Sequence, residues 1–391
     1  MNRQETPKRG SFRGSLGFVM AAAGSAVGLG NIWRFPYLAA RDGGGLFLLI
    51  YLLLAVTFGF ALLTTEIAIG RKTRHSPLKA YAALHKKAGW IGLLACLVPM
   101  MITPYYCVIG GWVLKYLTAF VSGQGVPAAG DGYFDAFVTA QWEPVLFMVI
   151  FLVLCALVVF MGVDKGIERF SKILMPVLVL MVFGIAVYSL TLRNAADPEK
   201  VVTGLDGLKV FVIPDFSGIT LSRLFRITVD ALTQLFFSLS IAMGIMVTYG
   251  SYVPDGTNLV HSIGIIEIFD ALIAFLAGVM VIPAVYVFMG PDAMSKGPAL
   301  MFISLPKIFA DMGAVGNVVG TVFFAMVLFA ALTSGISIME AVVASLMEHF
   351  RWNRKKAALI EALAVLAVGV VVCFGYNYLY FDIRLPNGDN A

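Results

Sequence analysis

The sequence predicts an all-α polytopic membrane protein whose first and sixth helices are broken in mid-span. Three observations carry this. The chain of 391 residues is 60% hydrophobic and only 13% charged, with a mean hydropathy of +0.88, which no soluble globular domain matches. Its apolar residues gather into about nine segments near the ~20 residues a helix needs to cross a bilayer. Two of those segments carry glycines, hydroxyls and other polar groups where a helix that only crossed lipid would carry Leu and Val.

In chain order the segments are 16–40, 46–69, 90–121, 145–163, 173–192, 227–252, 263–288, 315–347 and 357–375. The start, Met1–Arg13, is polar and basic without a signal-peptide layout, so the first segment is expected to be retained. Lys and Arg fill the loops before segment one (Arg3, Lys8, Arg9, Arg13), between two and three (Arg71 to Lys87), between four and five (Lys165, Arg169, Lys172) and between eight and nine (Arg351 to Lys356). The 122–142 loop carries Asp131 and Asp135 and no Lys or Arg. This alternation predicts the cytoplasmic membrane with the N-terminus inside and, for nine spans, the C-terminus outside. It also accounts for the net charge of +5, which gives no reason to expect nucleic acid. Two outer connections are long: 193–223, and 289–314 with a short apolar run, Ala299–Phe309, suited to a re-entrant or lid-like helix.

Segment one contains Gly24–Pro36 (GSAVGLGNIWRFP). Gly24 and Gly28 fit close helix packing as a GxxxG pair. Asn31 and Arg34 are not needed for packing and favour a helix broken near Val27–Gly30, because irregular backbone at membrane depth is tolerated only where it is buried in protein or lines a cavity. Segment six has Ser238, Ser240, Ala242 and Gly244 in its apolar middle. Serines bonded back to the preceding turn are the plainer reading of that segment alone. Interrupted helices at matching places of two five-helix units point instead to an inverted-repeat transporter with its site at the midplane. Half-helix N-termini there suit a carboxylate, and half-helix C-termini and freed carbonyls suit Na+.

Thr333 and Ser334 in segment eight could offer oxygens to a hard cation or bond their own helix. Tyr106 in segment three needs a partner for its phenol. Glu66 and Asp270 lie within apolar helices and need buried partners, Asp270 being the better functional candidate. Asp230 and Glu267 read as interfacial, and Glu340 is unassigned. Gly166 and Pro176 bracket the start of segment five, where the chain could unwind or simply pass from loop to helix. Cys96, Cys107, Cys155 and Cys373 read as buried small hydrophobes, and the four histidines do not cluster. No paired acids and no nucleophile–base spacing suggest an enzyme.

The chain resembles the neurotransmitter:sodium symporter family, in its bacterial amino-acid-transporting branch. The motifs are Gly24–Pro36, Asp42–Gly45 (DGGG), Thr65–Arg71 (TEIAIGR), Lys165–Phe170 (KGIERF), Phe236–Ser240 (FFSLS) with Tyr249–Tyr252 (YGSY), and Leu332–Ser334 (LTS), all in family order. The resemblance implies a five-plus-five inverted-repeat fold in a single transmembrane domain, 1–192 forming the first repeat and 193–391 the second. Helices one, two, six and seven would rock against a scaffold of three, four, eight and nine. The family carries a helix ten, and this sequence ends after helix nine, so the second repeat is expected to be incomplete.

By the same resemblance a substrate carboxylate would meet the amides of Leu29 and Gly30 and the Tyr106 hydroxyl. Its amine would meet the Ala26 carbonyl and oxygens around Phe237–Ser240, Ser238 included. Ile102, Phe237, Ser240, Met243, Ser334 and Ile338 would line the side-chain pocket. One sodium position maps to Ala26, Asn31, Ser238 and Asp270, the second to Gly24, Val27, Ala330, Thr333 and Ser334. An anion position maps to Tyr51, Gln234 and Ser238. The helix-seven position that carries Ser or Glu in relatives is Ala274 here, with Asp270 an alternative source of charge, so chloride dependence stays open. Gate residues map to Arg34 outside and to Arg9, Glu348 and Tyr252 inside.

The expected activity is sodium-coupled symport of a neutral, mainly hydrophobic amino acid by alternating access, probed by binding with and without Na+. The alternative is an amino-acid-binding or sensor homologue that does not transport. The expected partners are the amino acid and the lipid bilayer; the sequence does not give the oligomeric state.

Overall fold

The structure, a computed structural model, describes residues 10–194, 201–290 and 300–380. We label its principal helices α1 (Ser15–Ala26), α2 (Gly30–Arg41), α3 (Gly45–Thr73), α4 (Pro77–Leu84), α5 (Gly89–Val121), α6 (Glu143–Met161), α7 (Val163–Thr191), α8 (Gly204–Val212), α9 (Leu221–Ser238), α10 (Ile245–Tyr252), α11 (Leu259–Met289), α12 (300–311), α13 (Ala314–Phe350) and α14 (Arg354–Phe374). A two-stranded antiparallel hairpin pairs Arg193–Asn194 with Val202–Thr203 before α8.

Among the described residues, seven helices are long and apolar enough to cross a membrane, and α1 with α2, bent by 48°, is an eighth candidate. The sixth expected segment is α9 and α10 joined by a non-helical link, and it does not join that count. Polar residues on α9, among them Arg223, Arg226, Asp230 and Gln234, lower its hydropathy. The most apolar 18-residue stretch is 83% buried in α13 and 67% in α11, against a third to a half in α3, α5, α6, α7 and α14. These two helices, with the short α1 and α10, whose residues are mostly buried, form the interior, and α3, α5, α6, α7 and α14 present Leu, Val and Phe outward, as a lipid solvent permits.

Local chemistry sets the boundaries. Asn258 and Asn353 cap α11 and α14 by accepting from His261 N (3.2 Å) and Lys356 N (2.8 Å). Thr203 and Asp206 form a capping box on α8, where the Thr203 hydroxyl and Lys209 hold the Asp206 carboxyl down at about 2. α3 and α10 touch backbone to backbone: a Cβ on Gly70 would lie 2.0 Å from Val247 O, and one on Gly250 2.3 Å from Ile67 O.

Two expectations about α7 and α11 are corrected. α7 is helical from Val163, opening on a wide π-turn over Val163–Glu168, and no unwound stretch separates Gly166 from Pro176. Gly166 is needed for proximity rather than unwinding, since a Cβ there would sit 2.1 Å from Val158 O. Glu267 is not interfacial: α11 begins at Leu259, so Glu267 lies two turns in and is 8% exposed. The run 300–311 is helical as anticipated, and Ala299 lies outside the described residues.

Candidate functional site

The first break is short. Val27 leaves the helix at ψ 89°, and Leu29 is already back in helical geometry ahead of a π-turn over Gly30–Arg34. Val27 N still reaches Ala23 O (2.7 Å) and Asn31 N reaches Gly28 O (3.2 Å). The Ser25 carbonyl accepts instead from two side chains, Ser334 Oγ (3.0 Å) and Ser240 Oγ (3.3 Å). Those bonds join α1, the second break and α13 at one oxygen.

The second break is longer. From Leu239 to Gly244 the chain turns through left-handed residues at Ser240 (φ 54°), Ala242 (φ 64°) and Gly244 (φ 69°). Ser240 N bonds Phe237 O (3.4 Å) and Ile241 N bonds Phe236 O (3.0 Å). The Ala242 amide donates to Glu66 Oε1 on α3 (2.7 Å), so Glu66 finds its buried partner in the broken helix. Non-glycine residues in left-handed geometry are strained by roughly 1–2 kcal/mol each and persist where surrounding contacts hold them.

Between the breaks lies a cavity of about 20 Å³, room for about one water. All eleven residues expected around a substrate line it: Ala26, Leu29, Gly30, Ile102, Tyr106, Phe237, Ser238, Ser240, Met243, Ser334 and Ile338. Ser25 and Gly28 line it too, and these the sequence reading missed. Gly28 could have been found from its lack of a side chain: a Cβ there would sit 2.4 Å from Ser334 Oγ and 3.6 Å from Tyr106 OH. Among the described residues the buried Tyr106 hydroxyl completes no hydrogen bond of normal geometry, although the Ser334 hydroxyl and the Leu29 main chain lie beside it. An unsatisfied buried phenol is destabilising by about 1–3 kcal/mol, which a bound acceptor would remove.

Asn31, Ser238 and Asp270 come together beside the cavity, with Tyr51. Asn31 Nδ2 donates to Asp270 Oδ1 (2.7 Å) and to its main-chain oxygen (3.3 Å). Asp270 Oδ2 accepts from Tyr51 OH (2.8 Å) and Ser238 Oγ (3.2 Å). Asn31 Oδ1 is buried and has no partner among the described residues, leaving an acceptor beside a carboxyl group, oxygens of the kind a hard cation takes. The second expected set lies on α1 and α13. A Cβ on Gly24 would be 3.4 Å from Thr333 Cβ, and Thr333 Oγ1 bonds Ala330 O (3.0 Å) and Phe329 O (3.1 Å). Val27 sits at the break, and the Ser334 hydroxyl is turned to Ser25.

Of the residues mapped to an anion position, Tyr51 OH and Ser238 Oγ lie 3.1 Å apart, while Gln234 Nε2 donates to Gly30 O (3.0 Å) and its Oε1 accepts from Arg34 (2.9 Å). The guanidinium of Arg34 also lies 5.8 Å from the Phe237 ring centre. Ala274 is fully buried and brings no polar group.

At the opposite end Tyr252 OH donates to Glu340 Oε1 (2.7 Å), and Arg354 pairs with the same carboxylate (2.6 and 2.9 Å). The Tyr252 carbonyl accepts from Phe12 N (3.1 Å), and the Phe12 ring packs edge-on against Tyr249 and Tyr252. Glu348 accepts from Ser76 N (2.7 Å) and contacts the His75 ring. Arg9 lies outside the described residues. Glu340 was the signal left unread: a fully buried carboxylate requires a cation, and Arg354 opens the next helix.

The sequence model described as the sodium:neurotransmitter symporter family matches residues 9–126 and 135–380. The chain belongs to this family. Like the family, it is a sodium-coupled transporter by kind and not an enzyme, a multi-pass protein of membranes. It is 36% identical over 378 residues to the sodium-dependent transporter YhdH of Bacillus subtilis, covering 95% of this chain and 79% of the relative. It is 32% identical to a sodium-dependent transporter of Haemophilus influenzae, covering 97% of this chain and 82% of that one. The crystal structure of MhsT in complex with L-phenylalanine superposes with a TM-score of 0.85 at 34% identity, covering 98% of this chain and 84% of the other. For this family member the coarse fold is therefore that of MhsT.

Proposed function

We propose that this symporter-family protein carries a neutral, mainly hydrophobic amino acid with sodium across the cytoplasmic membrane. The observation that carries the reading is the buried Tyr106 hydroxyl, which among the described residues completes no hydrogen bond of normal geometry and has only the Ser334 hydroxyl and the Leu29 main chain beside it. It lies near Gly28, at the edge of a cavity lined by Leu29 and Gly30 where α2 begins. A helix start presents free amides and partial positive charge, the complement of a carboxylate. The Ala26 carbonyl and the Ser238 and Ser240 hydroxyls would take the amine. Ile102, Phe237, Met243 and Ile338 leave an apolar space for the side chain. The L-phenylalanine held by MhsT is of this class.

Two sodium ions are proposed. One would bind Asn31 Oδ1, Asp270, Ser238 and the Ala26 carbonyl; the other, the carbonyls of Gly24, Val27 and Ala330 with Thr333 and a re-turned Ser334 hydroxyl. The Asp270 carboxylate already accepts from Tyr51 and Ser238, so the chain supplies the negative charge there and transport should not need chloride.

The inner end would be the one carrying Arg13, since the basic loops gather there. In the proposed cycle the first two and the sixth and seventh segments rock against the others, the repeats being 1–192 and 193–391. Arg34 with Gln234 and Phe237 would close the outer path; Tyr252, Glu340 and Arg354, with Glu348 and Arg9, the inner one. The test is binding of labelled amino acids to purified protein with and without Na+, followed by counterflow in liposomes. Sodium-dependent binding of a hydrophobic amino acid with counterflow is expected. Binding indifferent to sodium overturns the proposal, and binding without counterflow leaves a sensor or binding protein.

A further inference from the structure

We propose that the groove where α7 begins, at the end carrying Arg13, seats the headgroup of an anionic phospholipid. The groove has a volume of about 770 Å³ and is walled by Arg13, the end of α6 and the first turns of α7. Four cations line it: Arg13, Lys165, Arg169 and Lys172. Its two carboxylates are already engaged. Glu168 accepts from Arg13 N (2.8 Å) and Lys172 Nζ (2.5 Å), and Asp164 accepts from Arg13 Nη2 (3.1 Å). The exposed side chains of Lys165 and Arg169 make no hydrogen bond or ion pair among the described residues, so the groove keeps an uncompensated positive charge.

The helix carries the argument further. Residues 165, 169, 172 and 173 share one face at i, i+4, i+7 and i+8. That face changes character at Ile173, which is 60% exposed, and continues through exposed Val177 and Leu180. A cationic first two turns followed by an apolar, lipid-facing stripe matches the order of headgroup and acyl chain across a leaflet. Exposed Met161 at the end of α6 lines the groove as well. Basic pockets between membrane helices are sites for anionic headgroups. This inference stands apart from the identity of the transported substrate.

The experiment compares wild type with Lys165→Gln/Arg169→Gln in nanodiscs of phosphatidylcholine alone and of phosphatidylcholine mixed with phosphatidylglycerol. Lipid retained by the extracted protein is counted by native mass spectrometry. Lys86→Gln/Lys87→Gln serves as a control with the same charge change in another basic loop. Wild type and the control should retain phosphatidylglycerol preferentially, and the Lys165/Arg169 variant should lose that preference by roughly tenfold or more. Equal retention by all three proteins, or equal loss in both variants, overturns the site in favour of none or of a diffuse field. Millimolar glycerol phosphate displacing the retained lipid would also overturn it, since a lipid held by both headgroup and chains resists its soluble headgroup alone.

Discussion

The two breaks meet at the same cavity, yet they are built differently. The first, at Val27 and Gly28, needs no left-handed residue, and helical geometry resumes at Leu29. Glycines weaken the helix locally, and two serine hydroxyls from elsewhere take the freed Ser25 carbonyl. The second runs from Leu239 to Gly244 and holds two non-glycine residues, Ser240 and Ala242, in left-handed geometry. Local sequence does not favour that conformation. A carboxylate from α3 holds it open, since Glu66 accepts the Ala242 amide. The comparison teaches that one break is encoded where it occurs and the other is imposed from a neighbouring helix.

That difference is breakable. Glu66→Ala should give the largest effect, because it removes the acceptor and strands the Ala242 amide. A stability loss of about 3 kcal/mol is expected, read as a lowered unfolding midpoint in detergent, with amino-acid binding lost alongside. Glu66→Gln keeps an acceptor oxygen and should recover most of both. If Glu66→Ala unfolds like wild type, the second break does not depend on α3.

Tyr106→Phe probes the first break from the other side. The hydroxyl completes no hydrogen bond of normal geometry among the described residues, so its removal should change stability little. It should weaken amino-acid binding by about 2 kcal/mol, roughly thirtyfold, through loss of a bond to a charged group. Unchanged affinity would remove Tyr106 from the carboxylate position. The two variants thus separate a residue that shapes a break from one that uses it.

The first break was legible from the chain because its cause is local: three glycines beside Asn31 and Arg34 do not belong in a simple span. Seven of the eleven cavity residues lie in the family motifs, and Ile102, Tyr106, Met243 and Ile338 lie outside them on helices that the resemblance places around the site. The bonds of Gln234 were not legible because its amide has two ends, and four residues from Ser238 on α9 it shares that residue's face. Rotamer and neighbours decide between them, and the Gly30 carbonyl with Arg34 satisfies both ends at once. The start of α7 and the burial of Glu267 were hidden from hydropathy for a common reason. Polar first turns are helical without being apolar, so an apolar window begins too late. In α7 it hid Glu168, buried and bonded to the α1 approach through Arg13.

A smaller effect is expected at the second proposed cation position. Thr333 Oγ1 bonds carbonyls of its own helix at 3.0 and 3.1 Å, a fate any membrane threonine shares. Thr333→Ala should therefore cost little stability. It should raise the sodium concentration for half-maximal amino-acid binding by about tenfold, near 1.4 kcal/mol. Asn31→Ala should do the same at the other position and in addition free one oxygen of Asp270. If both titrate like wild type, the cations bind elsewhere and the first break serves only the amino acid.

The smallest effect tests strain itself. Ala242 sits at φ 64°, where an L-residue pays roughly 1–2 kcal/mol and glycine nothing, while glycine loses about 0.5–1 kcal/mol more in chain entropy on folding. Ala242→Gly should thus stabilise by about 0.5 kcal/mol, with the amide still donating to Glu66. The same exchange in Glu66→Ala should recover more than in wild type, because without the carboxylate the Ala242 end of the left-handed turn loses its bond to α3. A double-mutant cycle on unfolding midpoints measures that coupling. Additive effects would mean that Glu66 and the backbone of the second break act independently, and that the turn is held from the Ser25–Ser240 side instead.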